Sequence, residues 1–443
     1  MRLPASINHF FSKFNDAGFD IWLVGGGVRH LLTGKPITNP DFTTNATPEQ
    51  IQALFPDSFY DNAFGTVGIP VDDQLYEVTT YRTERSYTDK RHPDKVEWGK
   101  TLAEDLSRRD FTINAMVIGK DLNLIDPFDG KADLDAKIIR AVGNSVDRFN
   151  EDALRMMRAV RIATQLEFTI EPQTLQAIKQ SASTLTAVSW ERIRDELFKI
   201  LSSSHPADGI KLLDDTGLLA HILPELITTK AIPQGGHHIH DVWNHSLESL
   251  RFCPSSDPLV RLATLLHDIG KPKSLRHQGP RGVTFYGHEV VGARIASVIA
   301  DRLRLSKKDK LKLVTLVRWH MFAYSPQMTD AAIRRFIKRV GLDNINDMVL
   351  LRIGDRQGGG SKATSWRLRE LQDRIGQQLY QPLTVSDLKI DGHDVMKELK
   401  IKPGPKVGAI LNQLFEEVLE DSSKNTRDYL LQRIKQLNDK SSN

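Results

Sequence analysis

The chain has 443 residues, enough for about three domains of roughly 150 residues each. Its 40% hydrophobic and 26% charged content is that of an ordinary globular protein, and 60 Lys and Arg against 56 Asp and Glu leave a formal charge of +4. That composition excludes disorder as the main state, and so small a charge means that an anionic ligand must be met by a local patch. No stretch approaches the ~18 consecutive apolar residues of a membrane span. Polar residues between Ile7 and Trp22 break up any secretory leader. The single cysteine, Cys253, excludes an intramolecular disulfide and a cysteine-based zinc site, which fits a reducing, cytoplasmic setting.

In chain order, "IWLVGGG" from Ile21 predicts a short apolar strand running into a helix, "VRHLLTG". A second strand, a Thr/Asn/Pro loop and a helix follow in "TNPDFTTNATPEQIQALF". "GTVGIPV" and "YEVTTYR" alternate apolar and polar residues and predict two further strands. The polar stretch 84–100 reads as a mobile loop. Residues 1–140 are therefore expected to form a mixed α/β head.

From Asn150 the pattern turns helical. "EDALRMMRAVRIATQL" sets Arg155, Arg158 and Arg161 along one side of a predicted helix, and helical spacing continues through "WERIRDELFKIL" and "ADGIKLLDDTGLLAHIL". "IPQGGHHIH" breaks it and marks a boundary. The expected divisions are a head (1–140), a helical neck and body (141–232), a His-punctuated helical domain (233–380) and a helical tail (381–443).

Gly25, Gly26 and Gly27 lie between strand and helix, where backbone N–H groups can approach a phosphate and Arg29 can add its donors. A plain structural turn fits a bare glycine triplet equally well. Asp41 in its loop reads alone as a turn residue, and only its neighbours can make it a metal ligand. Those neighbours are specific: "GGGVRHLLTG", "PDFTTNATPE", "EDLSRRDFTINAM", "DPFDGKADL", "EDALRMMRAVR" and "SWERIRDEL" follow one another over the first 200 residues. The ordered set resembles the class II tRNA nucleotidyltransferase/poly(A) polymerase family.

The resemblance implies that Gly26 and Arg29 contact a triphosphate and that Asp41 holds Mg²⁺, with Glu77 as a further carboxylate. Arg109 and Asp110 are implied to bind the sugar–phosphate part of the nucleotide. Asp152 and Arg155 are implied to read the base edge, and Arg158 and Arg161 to support phosphate or base binding. Residues three apart on a helix share a face, so an Asp152–Arg155 pair could choose C and A over U and G without a nucleic-acid template. Two positions depart from the family pattern. Its Asp-x-Asp reads Asn39-Pro40-Asp41, and its Arg-Asp reads Arg29-His30. An amide at Asn39 can ligate Mg²⁺ but brings no charge, so weaker metal binding and lower turnover are expected.

In the third segment "LLHDIGK" places His267 and Asp268 side by side, with His245 upstream and His288, His320 and Asp355 downstream. Imidazoles and carboxylates together suit a divalent metal that activates water against a phosphoester. The spacing resembles the all-helical HD phosphohydrolase superfamily. By position His245, His267, Asp268 and Asp355 are the implied ligands, and His288 and His320 could serve a second metal or a phosphate. An inert packing domain is the alternative. His237, His238 and His240 read as surface loop residues. The tail, "DGHDVMKELKIKPGPKVGAILNQLFEEVLED", resembles that of HD-containing tRNA nucleotidyltransferases. Its Gly404–Gly408 turn suits phosphate-backbone contact or a packed helical hairpin.

The expected architecture is thus an α+β nucleotidyltransferase head followed by an all-α neck, body, HD domain and tail. The expected partners are the tRNA 3′ end, CTP and ATP, with no membrane. The expected cofactors are Mg²⁺ in the head and a divalent metal in the HD domain. The expected activity is template-independent addition of the 3′-terminal CCA. Partial addition, poly(A) synthesis, and an RNA-end phosphohydrolase with an inactive RNA-binding head are its rivals.

Overall fold

In a computed structural model of the chain, residues 2–61, 65–85, 95–98, 101–234, 240–277, 282–322 and 324–440 are described. They gather into two compact units, Met1–Pro224 and Glu225–Asn443. The first therefore holds both the expected head and most of the expected neck, and the second holds the His-rich segment with the tail.

The first unit is built on a seven-stranded sheet. Its strands are β1 (Ile21–Val24), β2 (Asp41–Thr44), β3 (Phe59–Asp61), β4 (Thr66–Val71) and β5 (Gln74–Thr80). A separate hairpin pairs β6 (Arg82–Arg85) with β7 (Lys95–Trp98), and β8 (Val117–Ile118) and β9 (Leu124–Ile125) return to the main sheet. The sheet order is β3-β4-β5-β2-β1-β8-β9. Only β2 and β5 run parallel, in a register that sets Asp41 opposite Glu77 and Phe42 opposite Val78. Residues 84–85 and 95–98 of the predicted 84–100 loop are instead in hairpin strands, while residues 86–94 and 99–100 lie outside the described residues.

Helix α1 (Ala5–Asp16) precedes the first element that the sequence pattern predicts. It buries Ile7, Phe10, Phe11 and Phe14 at i, i+3, i+4 and i+7. The Phe10 ring lies 4.8 Å from that of Phe42 and 5.1 Å from those of Phe55 and Tyr76. This aromatic cluster backs the β2–β5 pair that carries Asp41 and Glu77. Helices α2 (Gly26–Leu32), α3 (Pro48–Leu54), α4 (Leu102–Ser107) and α5 (Gly130–Asp135) complete the head. Thr47 and Thr101 cap α3 and α4 with reciprocal Gln50 and Glu104 boxes.

The neck follows as α6 (Ser145–Glu151), α7 (Leu154–Leu166), α8 (Pro172–Ser181), α9 (Trp190–Leu201), α10 (Pro206–Asp215) and the short α11 (Leu219–Ile222). It is not purely helical, because β10 (Ile138–Ile139) pairs in parallel with β11 (Thr169–Ile170). The helix predicted from residue 151 breaks at Asp152, which is extended, with φ −145° and ψ 104°. The Asp152 carboxylate reaches forward to accept from the Leu154 N–H at 3.1 Å at the start of α7. Asp and Arg here do not share a helix face; Asp152 closes α6, and Arg155 lies in the first turn of α7.

In the second unit, α12 (Pro224–Ile227) leads to α13 (Val242–Arg251), α14 (Pro258–Leu266), α15 (Lys271–Ser274), α16 (His288–Arg302), α17 (Lys307–Trp319), α18 (Asp330–Val340), α19 (Ile345–Gly358) and α20 (Trp366–Gln378). A two-residue hairpin, β12 (Arg276–His277) with β13 (Val283–Thr284), interrupts them. The tail is α21 (Gly392–Leu399), α22 (Pro405–Glu420) and α23 (Arg427–Lys440). Its own core includes Val395, Leu414, Val418, Leu430 and Ile434. Arg334 on α18 ties the tail down by donating to the Leu419 and Glu420 carbonyls at the end of α22. No described helix is long and apolar enough to cross a membrane.

Candidate active site and metal centre

Strand β1 ends at Gly25, whose φ of +62° turns the chain into α2. The turn lies against β2, so that a Cβ at Gly25 would sit 3.6 Å from the Asp41 carboxylate. Parallel pairing sets Glu77 beside Asp41 on one face of the sheet. Asp41 opens onto solvent in a crowded cleft. That crowding and the Glu77 charge push its carboxyl up to about 6, against the pull of Arg109, Arg29 and Arg158. Two adjoining carboxylates that resist joint ionisation are a donor set suited to a divalent cation.

Asn39 points elsewhere. It holds a left-handed φ of +45°, and its amide oxygen accepts from the Leu75 N–H at 3.3 Å while its own N–H donates to Gln74 at 3.2 Å. The side chain fastens the start of β5. His30, at the other departing position, is kept below its ordinary pKa by burial and by Arg29.

A cleft of about 290 Å³ opens beside Asp41, lined by Arg109, Asp110, Asp152, Arg155, Arg158 and Arg192 among others. Of the sequence-predicted residues it gathers Asp41, Arg109, Asp110, Asp152, Arg155 and Arg158. Gly26, Arg29, Glu77 and Arg161 are not in its wall. Arg161 is turned to the buried Glu196 at 2.6 Å. Arg29 donates to Asn114, whose amide in turn donates to Asp110 at 2.8 Å. Burial lowers Arg29 to about 10.

Asp110 also receives Arg158 at 2.7 Å. Burial alone would raise its pKa, but Arg158 and the Asn114 amide hold it far below the carboxylate range. Arg155 is locked by Glu151 at 2.6 Å and by the Arg108 carbonyl at 3.0 Å, and Arg192 reaches Asp152 at 2.7 Å.

Three residues not singled out in the sequence shape this cleft. Asp105 is fully buried and accepts from Arg108 at 2.6 Å, Arg109 at 2.9 Å and Thr43 at 3.1 Å. Burial works to raise its pKa, yet the two arginines bring it down to about 2. Asn114 links Arg29 to Asp110, and Arg192 comes from α9, forty residues beyond Asp152. The i, i+3 and i, i+4 spacing of Asp105 to Arg108 and Arg109 in "EDLSRRD" was the one local signal available.

In the second unit the six His and Asp residues converge. Gly354 and Gly358 let α19 lie directly on α13, since a Cβ at either would come within 2.5 Å of Ser249 backbone or side-chain atoms. That contact brings Asp355 to His245 at 3.2 Å. His267, His288 and His320 each set Nδ1 against a carbonyl one turn back, at 2.7, 2.9 and 2.8 Å. Nδ1 is therefore the donor and Nε2 is left as the ligand atom.

Two candidate metal groups result among the described residues: His245, His267 and Asp355, and Asp268, His288 and His320. Asp268 spans them, with Oδ2 at 3.2 Å from His267 and Oδ1 at 3.3 Å from His288. Burial works against a charge on His267, but Asp268 and Asp355 lift it to about 10. The carboxylates thus draw positive charge to the spot a cation would take, and the donor set fits. Lys271, also missed in the sequence, holds Asp268 Oδ2 at 2.6 Å. His240 is partly exposed outside these groups, and His237 and His238 lie outside the described residues.

Comparison with known proteins adds breadth. Residues 21–140 match the Poly A polymerase head domain and 167–229 the probable RNA and SrmB-binding site of polymerase A. Residues 242–351 match the HD domain and 364–434 the putative tRNA nucleotidyltransferase domain 2. The chain is 35% identical to the A-adding tRNA nucleotidyltransferase of Deinococcus radiodurans, covering 89% of this chain and 90% of that one. It is 32% identical to the CCA-adding enzyme of Pediococcus pentosaceus over 96% of each. The crystal structure of the Bacillus stearothermophilus CCA-adding enzyme in complex with CTP superposes over 99% of both chains, with a TM-score of 0.73 and 26% identity.

Proposed function

Because the chain belongs to the tRNA nucleotidyltransferase/poly(A) polymerase family, we propose that its head builds or repairs the 3′-terminal CCA of tRNA from CTP and ATP in the cytoplasm. The 3′-hydroxyl oxygen bonds to the α-phosphorus, the bond to the β-phosphate oxygen breaks, and pyrophosphate leaves. Asp41 and Glu77 are the residues to hold Mg²⁺. When bound, such ions bring hydroxyl and phosphate together and neutralise the triphosphate.

Arg109 and Arg158 bind phosphate and sugar, oriented by Asp105 and Asp110. Asp152 and Arg155, each fixed by its own partner, offer a rigid acceptor and donor to a base edge and act as a protein template. Arg29 and Arg161 act from behind the wall. The observation that carries this reading is the convergence of Asp41, which pairs with Glu77 across β2 and β5, with Arg109, Arg155, Arg158 and Asp152 on one cleft. Incubating the protein with tRNAs lacking one, two or three 3′ nucleotides, with CTP and ATP separately, should give stepwise completion to CCA. Elongation far past three nucleotides would sink it.

The A-adding relative from Deinococcus favours a second reading, in which only the final A is added. The same assay then shows extension of tRNA ending in CC and none of shorter tRNAs. For the second unit we infer metal-dependent phosphoester hydrolysis at RNA ends. The residues to hold the metal are His245, His267, Asp268 and Asp355, with His288 and His320 serving a second ion through Asp268.

A further inference from the structure

We propose that an arginine-rimmed apolar pocket beside the His–Asp centre binds the nucleobase of a nucleoside phosphate whose phosphate lies at that centre. The pocket, of about 240 Å³, is walled by Phe322, Tyr324, Phe336, Met348 and Leu371 on the inside. Arg352, Arg356, Arg367 and Ser365 supply its polar rim. Phe322 and Phe336 are already stacked, 3.8 Å apart and 21° from parallel. Sites for drug-sized ligands run to about 300–1,000 Å³, so this one takes a single ring system with the rest of the molecule outside.

Where the rest would go is set by Arg352. Its side chain belongs to the walls of this pocket and of the one containing His267, Asp268, His288 and His320. It also donates to Asp355 at 2.6 Å. One guanidinium therefore lies between the apolar pocket and a candidate metal ligand, so a base in the pocket would have its phosphate side towards that ligand.

Arg356, one helical turn on from Arg352, has its Nε buried with no hydrogen-bond partner among the described residues. A buried donor left unpaired in a native structure calls for a partner, and a base carbonyl supplies one. The rim offers N–H donors and one hydroxyl. It therefore suits guanine, cytosine or uracil, whose edges carry carbonyl acceptors, better than adenine. The phosphate source is either a free nucleotide or an RNA 3′ end, since both present the same chemistry.

This inference rests on reading the His–Asp cluster as a phosphoester site, and its test separates the two. Equilibrium dialysis of the full chain with Mn²⁺ would compare guanosine 3′-monophosphate with ribose 5-phosphate, which lacks a base. The expected result is about tenfold tighter binding of the nucleotide, the order that a guanidinium contact to a base edge gives. Most of that advantage should vanish in Arg356→Gln and part of it in Arg367→Ala. The second variant is exposed and leaves the core intact.

Arg356-dependent nucleotide binding without any hydrolysis would uphold the pocket and reject the hydrolase reading. Equal affinities for the two ligands, or an advantage untouched in both variants, would overturn the pocket. So would hydrolysis of guanosine 2′,3′-cyclic phosphate and p-nitrophenyl phosphate at an unchanged kcat/KM ratio in Arg356→Gln. A short RNA ending in a 2′,3′-cyclic phosphate, added as competitor, assigns the source. Displacement well below the concentration of free nucleotide needed points to the RNA end.

Discussion

Asn39 stands where the family places a carboxylate, yet its oxygen is engaged with the Leu75 N–H and its backbone is left-handed. Aspartate keeps both the acceptor and the tolerance for that conformation. Asn39→Asp should therefore change CTP incorporation less than about threefold and leave its Mg²⁺ dependence alone. A rise of about tenfold with a lower Mg²⁺ requirement would show that the side chain turns to the metal.

Asp105 is the complementary case, a carboxylate whose role is to hold Arg108 and Arg109. Its folded pKa of about 2 lies below the ~3.9 of an unfolded Asp. The stabilisation is thus complete above pH ~4 and disappears as pH falls through about 2. The shift corresponds to ~2 kcal/mol, so Asp105→Asn should weaken the first unit by about that much at pH 7. The difference from wild type should shrink between pH 4 and 2, read by denaturant unfolding. A pH-independent difference would assign the loss to packing instead.

At the scale of elements, position in the fold matters more than local pattern. Helix α1 was not legible because "ASINHFFSKFND" carries no side-chain cap. Its apolar face also has meaning only against Phe42, Phe55 and Tyr76, which arrive from elsewhere in the chain. Phe14 is fully buried in that cluster, and Phe14→Ala should cost about 3–5 kcal/mol of unfolding free energy. A cost below about 1 kcal/mol would mean that α1 is not integral to the head.

Strands β1, β2, β4 and β5 and the helices between and after them were legible, because apolar patterning and Gly- or Thr-marked ends are local signals, whereas the β6–β7 hairpin, read as a loop, and the short strands β3 and β8 to β13 were not. Nor was the break at Asp152. Its cause is a competition between helix continuation and a side-chain bond to the next helix's first turn, which spacing alone does not resolve. The outcome changes how the proposed base-reading pair is organised: Asp152 is oriented by Arg192 and Arg155 by Glu151, each on a separate support.

Across the whole molecule, the two proposed activities draw on separate residue sets, one in each unit. His267→Ala removes a candidate ligand of the second unit while touching nothing in the head cleft. It should abolish metal-dependent phosphoester hydrolysis and leave nucleotide addition to tRNA within about twofold. Loss of both activities together would argue that the units work as one site. Hydrolysis that persists would return the His–Asp cluster to a packing role.

The small net charge is resolved at this scale as well. The cleft wall sets Arg82, Arg108, Arg109, Arg155, Arg158 and Arg192 against Asp41, Asp110 and Asp152, so a locally positive site coexists with a nearly balanced total. Ordered motifs in the sequence by itself determined the family, the order of head, helical segment, HD segment and tail, and most of the chemical groups. Those follow from residue type and short-range spacing. Only the tertiary structure decided that Asn39 fastens a strand, that Asp105 and Arg192 hold Arg108, Arg109 and Asp152, and that Asp268 joins the two candidate metal groups. Each depends on atoms brought together from distant parts of the chain, and no local period encodes such a meeting.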